Sequence, residues 1–373
     1  MKFRISKNGL ADILSKVQGI TGRKSNFAIT ECIMLDVSLN GIKITATDHE
    51  TGFEGYCDAE VENEGVLALN SRKLFEIVKE FPSNDISFEK TENDWVEIRD
   101  NKVQYHLVGM NPDEFPKLPD IELEKGIEVE SDRFKRMIER SIAIGGPGDE
   151  KRAHINGVYL ELRKDLQTPL VRMVSTDGTR LAKTDMAVEN IESEINESSV
   201  LVPKKGIGEV LKFLDSGARV KIGIKESYFI VEKEHEKIII RLLEGKFPNY
   251  EDIINRQDGI IDIELEKEPF MKMLVRMAIM CNENYRAAIF RFEGNELIIH
   301  STNPELGESK EDIEIKYGGK PLELAFNPKY MIDALNAIDD SKVILNLVDE
   351  EKPCIVSGKD DKNYLNVIMP MRI

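Results

Sequence analysis

The feature that most restricts this chain is a threefold recurrence of landmarks. Thr47-Asp48, Thr176-Asp177 and Thr302-Asn303 stand at matching points, as do Asn70-Ser71, Pro203-Lys204 and Asn327-Pro328. Pro116, Pro248 and Pro370 close the three rounds. Each set steps by about 120–135 residues, far beyond the ~20–50 residues of a solenoid unit, so the recurring object is a whole domain. Residue identity between rounds is low, and what recurs is the order of elements. A short strand feeds a helix, hairpin strands follow, a second helix comes next, and further strands lead to the closing proline. The rounds span residues 1–122, 127–248 and 255–373, with residues 116–126 reading as a linker between the first two. Helices are expected over residues 7–19, 71–81, 131–143, 203–214, 267–280 and 328–338. The fold class is therefore α+β: three repeated domains, each with two helices packed on antiparallel sheets.

The third helix shows what these helices carry. Ser131 reads as its N-cap and Asp132 sits in its first turn. Phe134, Met137, Ile138 and Ser141 share one face, while Arg133, Arg136 and Arg140 share another. Alone, this is a solvated surface helix. Across all six helices, however, Lys and Arg outnumber Asp and Glu about two to one, although glutamate is as good a helix former as lysine. The whole chain runs the other way, with 51 basic against 68 acidic residues and a net charge of −17. Helices gathered on one side of the sheets make a basic face and leave an acidic remainder. Such a face attracts the phosphate backbone without reading base sequence.

Other chemistries find little support. No apolar run approaches the ~18 residues of a membrane span. The opening MKFRISKNGLADIL reads as a strand entering a helix, not as a signal peptide. Cys32, Cys57, Cys281 and Cys354 are scattered without CxxC pairs, which suits reduced thiols in a cytoplasmic protein. The five histidines have no metal-ligand spacing, so no metal or other cofactor is implied. Gly145-Gly146-Pro147-Gly148 follows a helix and lacks the GK[ST] ending, so it reads as a loop and not as a phosphate cradle. Asp48 and Asp177 fit turn closure better than acid–base catalysis. Trp95 is expected to pack, and the methionines of 271–280 are expected to be mostly core. No catalytic residue is assigned.

The pieces TATDHE, STDGTRLA, LVPKK, GKFPNYEDII and the terminal VIMPMRI, taken with the three rounds, resemble the bacterial sliding clamps, the beta subunits of DNA polymerase III. The resemblance covers the whole chain in register. It implies a non-catalytic processivity factor, a head-to-tail homodimeric ring with helices lining the hole, and a cytoplasmic, nucleoid-associated setting. Duplex DNA is held without sequence preference. The DNA polymerase III alpha subunit, the clamp loader, and other polymerases and repair proteins dock short peptides in a hydrophobic pocket. The matching pocket positions are Ile155, Thr176, Gly178, Arg180, Leu181, Pro248, Ile253, Val367, Met369, Pro370, Met371 and Arg372, with Arg180 and Arg372 expected at the rim. Asp252 stands where better-known members place a basic residue. The resemblance maps DNA contacts to Arg23, Arg152 and Lys204, with Lys205 adjacent. The helix reading adds Lys24, Arg133, Arg136 and Arg140. Tyr105 and Leu107 should meet Ile279 and Met280 across the dimer seam. The competing readings are an open monomeric three-domain scaffold that binds DNA or protein and, more remotely, an enzyme using the Thr-Asp loops.

Overall fold

A computed structural model describes residues 1–22, 28–144, 153–164, 168–189, 198–255, 259–282 and 286–372. All six expected helices are present: Lys7–Thr21, Ser71–Glu80, Ser131–Ile142, Lys204–Phe213, Lys267–Ala278 and Pro328–Asn336. Among the described residues no helix is long and apolar enough to cross a membrane.

The repeat is visible in single hydrogen bonds. The amide of the first residue of each opening helix donates to the loop after the second helix: Lys7 to Asn84, Ser131 to Ala218 and Lys267 to Ser341. The ammonium groups of Lys7 and Lys267 also satisfy carbonyls at the second helix's C-terminus, at Phe81 (2.6 Å) and Ile338 (2.5 Å). In the middle repeat the matching residue is Ser131, which is too short, and Lys233 reaches the Phe213 carbonyl instead (2.9 Å). Ser131 is not the N-cap expected for it. It is already helical, and its buried hydroxyl has no hydrogen-bond partner among the described residues.

The chain gathers into two compact units, one centred on Met1–Lys135 and Val202–Leu242, the other on Arg136–Glu189 and Leu243–Ile373. The middle repeat is thus shared between them. In the first unit, Lys2–Ser6, Ala59–Asn63, Asp85–Lys90, Trp95–Arg99 and Gln104–Val108 form a five-stranded sheet. An eight-stranded sheet joins first-repeat to middle-repeat strands where Thr51–Cys57 pairs antiparallel with Glu236–Arg241. In the second unit an eight-stranded sheet crosses repeats where Arg180–Ala187 pairs with Tyr364–Ile368, and a four-stranded sheet has Gly307–Glu314 at one edge. Both crossings follow one rule. The strand after the Thr-Asp turn of one repeat meets the last strand of the next repeat. Gln104–Val108 and Gly307–Glu314 are the remaining strands of those two kinds, and among the described residues each is an unpaired sheet edge.

Alternating burial along these strands builds the cores. The second unit packs Phe270, Phe290, Phe292 and Phe326 with Met273, Met277 and Met331, so the 271–280 methionines are largely core as expected. Trp95 departs from expectation. It starts a strand but remains 43% exposed, because it lies on the sheet face opposite buried Val96 and Ile98. The 116–126 segment is no loose linker. Ile121 and Leu123 pack on Ile230, and Lys221, Lys225 and Lys237 donate to the carbonyls of residues 121–124.

Candidate functional site

The terminal strand organises the pocket positions. Leu181 pairs directly with Val367, and both are buried with Val174 and Tyr250 in one apolar cluster flanked by Tyr159, Phe247 and Ile254. Beyond Ile368 the chain stays tied down at two points. Met369 N donates to Thr179 O (3.0 Å) and Met371 N to Ala325 O (2.7 Å). These bonds leave the Met369 and Met371 side chains exposed beside exposed Gly178 and Thr179. Flexible thioethers over a buried floor adapt to varied apolar side chains. Ile155 is buried on the short helix Ala153–Asn156. Pro248, Ile253 and Arg372 are exposed, and Pro370 is half-buried. Asp252 is also exposed, and its carboxylate accepts from the Asn249 amide (2.6 Å).

The 176–180 turn is held by its own side chains. Thr176 Oγ1 donates to Arg180 O (2.7 Å) and accepts from Gly178 N (3.1 Å). Gly178 has φ +89, a conformation few other residues accept. Asp177 Oδ1 accepts from the amides of Thr179 and Arg180. Burial works against its charge, but the Thr179 and Arg180 hydrogen bonds prevail and hold the carboxyl below its usual range. Asp48 closes its own turn in the same way, onto the amides of Glu50 and Thr51, and Asn303 does so onto that of Glu305. These are turn residues, as expected.

Arg180 corrects an expectation. It is not a rim cation but a buried strut, 6% exposed. Its guanidinium binds Asp177 (2.9 Å) and Asp333 (2.6 Å) and lies over the Tyr330 ring at 4.2 Å. The third-repeat helix Pro328–Asn336 therefore props the 176–180 turn from behind. Sequence reading missed this support, and it missed the Tyr159–Phe247 stack at 4.8 Å as well. It also missed buried Arg172, which grips Asp185 through two nitrogens (2.7 and 2.9 Å) and reaches the Tyr250 hydroxyl. Burial and the bond to Glu161 push that phenol up. The only sequence signal was the run of charged residues on strands that are otherwise apolar.

The basic residues divide. Arg133 is exposed on its helix, whereas Arg140 is 7% exposed and does not join a solvent-facing stripe. Arg140 binds Asp361 (2.7 Å), Asp339 (3.1 Å) and the Ala337 carbonyl, and its guanidinium lies over Tyr364. Arg136 shares Asp339 and the Ala337 carbonyl and is only partly exposed. Acidic groups of the third repeat pair with both arginines, which buries Arg140 and leaves Arg136 partly exposed. Lys205 is held by Asp48 (2.6 Å) and Glu50 (3.5 Å), and Lys204 is half-buried beside it. Arg23, Lys24 and Arg152 lie outside the described residues. Tyr105 and Leu107 line the helix side of the free edge Gln104–Val108. Ile279 and Met280 follow the end of the helix Lys267–Ala278, with Ile279 69% exposed.

Arg140→Ala should cost about 3 kcal/mol in urea unfolding, because removing one partner of a buried pair strands the other's charge. DNA retention of the folded variant should be unchanged. A stability within about 0.5 kcal/mol of wild type, the range of an ordinary surface change, would return Arg140 to the surface.

Family comparisons agree with this architecture repeat by repeat. Residues 1–119, 128–249 and 257–372 match the N-terminal, central and C-terminal domain models of the DNA polymerase III beta subunit. Beta sliding clamps of Chlamydia pneumoniae and Vibrio cholerae are 28% and 26% identical over all of this chain and 99% and 100% of their own. The crystal structure of the Pseudomonas aeruginosa DNA polymerase III beta subunit superimposes with TM-score 0.92 at 26% identity, covering 100% of both chains. A sliding clamp from the same organism bound to griselimycin gives TM-score 0.90 at 25% identity, again over 100% of both. With three domain models in order and relatives matched end to end, the chain belongs to the DNA polymerase III beta subunit family.

Proposed function

We infer that this chain works as a sliding clamp, closing around duplex DNA and tethering the replicative polymerase to its template without catalysing a reaction. The observation that carries this reading is the pair of unmatched edges. Two of three equivalent strand junctions are made within the chain, and the strands that would make the third are left free at Gln104–Val108 and Gly307–Glu314. A second copy placed head to tail supplies each edge with its partner, and two such seams close a ring. An open monomeric scaffold leaves both edges exposed, a standing invitation to aggregation.

Exposed helix cations such as Arg72, Lys73, Lys79, Arg133, Lys135 and Lys329 supply diffuse attraction to phosphate, so the ring slides. Lys204 and Lys205 remain candidates for DNA contact, subject to the pairing of Lys205. The alpha subunit, the clamp loader and other polymerases and repair proteins dock peptides on the Met369–Met371 pocket, from Ile155 and Thr176 to Ile253 and Arg372. The domain limits 1–122, 127–248 and 255–373 mark the repeats.

The test is topological. Loaded onto a nicked circle, the protein should stay bound through gel filtration in high salt and leave when the circle is linearised. Retention that does not respond to cutting refutes the clamp.

A further inference from the structure

The third repeat lacks a strand pairing that the first repeat makes. In the first, the chain leaves the strand Thr51–Cys57, passes Asp58 and lays Ala59–Asn63 antiparallel along the opening strand Lys2–Ser6. In the third, the opening strand Ile261–Glu266 pairs with Lys342–Leu347 on one side and, among the described residues, with no strand on the other. The repeat itself identifies the missing partner. Lys7 and Lys267 begin the two opening helices, so Phe3, Arg4 and Ile5 correspond to Ile263, Glu264 and Leu265. Just before the Thr-Asp and Thr-Asn steps, Ala46 pairs with Phe53 and Ser301 with Ser309. Counting on from Phe53 and Ser309, Ala59, Glu60 and Val61 correspond to Ile315, Lys316 and Tyr317. The middle repeat's counterpart falls partly outside the described residues.

Two properties mark residues 315–317 as that partner. Their burial alternates as on a sheet strand: Ile315 and Tyr317 sit in the core, while Lys316 between them is exposed. Their charge is complementary, with the sign reversed. In the first repeat Arg4 faces Glu60 at 4.0 Å, and the two residues stand directly opposite each other. In the third repeat the same two places hold Glu264 and Lys316. Opposite charges directly across a strand pair favour the pairing, whichever strand carries which sign. Glu264 is engaged with Lys342 and Lys359 (2.8 Å each), and Lys316 is left exposed.

The segment and the opening strand are neighbours without being paired. At the far end they touch, since a Cβ on Gly319 would come within 2.5 Å of Ile261 Cδ1. At the near end the segment is drawn off, where Ile315 N donates to Asn295 O (2.9 Å) in the adjoining hairpin turn. A groove of about 580 Å³ opens there, lined by Glu264, Leu265, Ile313, Ile315 and Lys316. Its two walls are the residues that the first repeat joins by backbone hydrogen bonds.

We propose that residues 315–317 are a strap that zips antiparallel onto 263–265, with Lys316 opposite Glu264, and that this structure holds the strap open. The strap continues the edge strand Gly307–Glu314 without a break. Open, that edge strand is held by strand pairing to Glu296–Asn303 alone. Closed, its end is also tied to the eight-stranded sheet that Ile261–Glu266 borders. The strap therefore sets how firmly the edge strand is fixed to its own repeat. The test places cysteine pairs on the exposed face, in a Cys281→Ser background that removes the half-exposed native thiol. On mild oxidation of dilute protein, Glu264→Cys with Lys316→Cys should form an intramolecular disulfide, read as two thiols lost to maleimide labelling in the intact mass. Glu264→Cys with Gly318→Cys is two residues out of register on the same face, and Gly318 has open space for a side chain. That pair should close roughly tenfold more slowly, because disulfide reach is short. Equal or reversed rates overturn the register. Failure of both pairs to close, in variants that keep the wild-type melting temperature, overturns the strap.

Discussion

Replacing Ile279 and Met280 with aspartate converts the protein to monomers in sedimentation, with each monomer still folded. Ile279 is 69% exposed in the single chain and follows a helix whose Arg276 and Met277 already touch the free edge strand Gly307–Glu314. In the proposed dimer this corner receives Tyr105 and Leu107 of the second copy. Burying an apolar side chain of this size contributes about 1.5–3 kcal/mol, and each is changed at two symmetric seams. The aspartates add the cost of desolvating charge in the seam. A rise in dimer Kd of at least ~1,000-fold follows. Neither side chain belongs to the buried core of its own unit, so the melting temperature of the isolated chain should barely move. A dimer that survives both changes shows that the seam lies elsewhere.

Deleting residues 369–373 abolishes partner-peptide binding and leaves the dimer intact. The deletion removes both exposed methionines and the two backbone bonds that hold them, to Thr179 and Ala325. It stops short of Ile368, so the pairing of Tyr364–Ile368 with Arg180–Ala187 and with Cys354–Gly358 survives. Interfaces concentrate their energy in a few well-packed anchors, and in the proposed pocket this segment supplies the adaptable ones, so a loss of at least ~100-fold is expected. Fluorescence anisotropy with a labelled clamp-binding peptide reads the affinity, and sedimentation reads the dimer. Undiminished affinity would move the pocket off the terminus.

Much of the architecture is legible in the chain because it depends on local chemistry. Alternating apolar residues announce strands, and apolar stripes at helical spacing announce helices. Thr-Asp and Thr-Asn steps announce turns whose carboxylate or amide oxygen closes onto backbone amides two or three residues on. These signals need only neighbours in sequence, and all six helices appear within two residues of their expected ends. Leu181 and Val367, far apart in sequence, lie directly opposite each other on paired strands.

The fate of individual charges is another matter. Arg133 and Arg140 look alike on a helical wheel, yet one is exposed and the other is enclosed by Asp339, Asp361 and Tyr364. Those partners lie roughly 200 residues away in sequence, and no local pattern links them. Arg180 likewise reads as a rim cation until Asp333 and Tyr330 of a distant helix take it up. The segment 116–126 reads as linker because it is rich in proline, and only packing reveals the lysines that pin its carbonyls.

The sequence by itself determined three repeats, their element order and the net basic character of their helices, because periodicity and composition are properties of short stretches. The tertiary structure alone decided which cations are spent inside the protein and which strand edges are left unpaired. Both outcomes depend on where distant segments meet, and a charge or a backbone edge acts outwardly only when no such segment has neutralised or paired it.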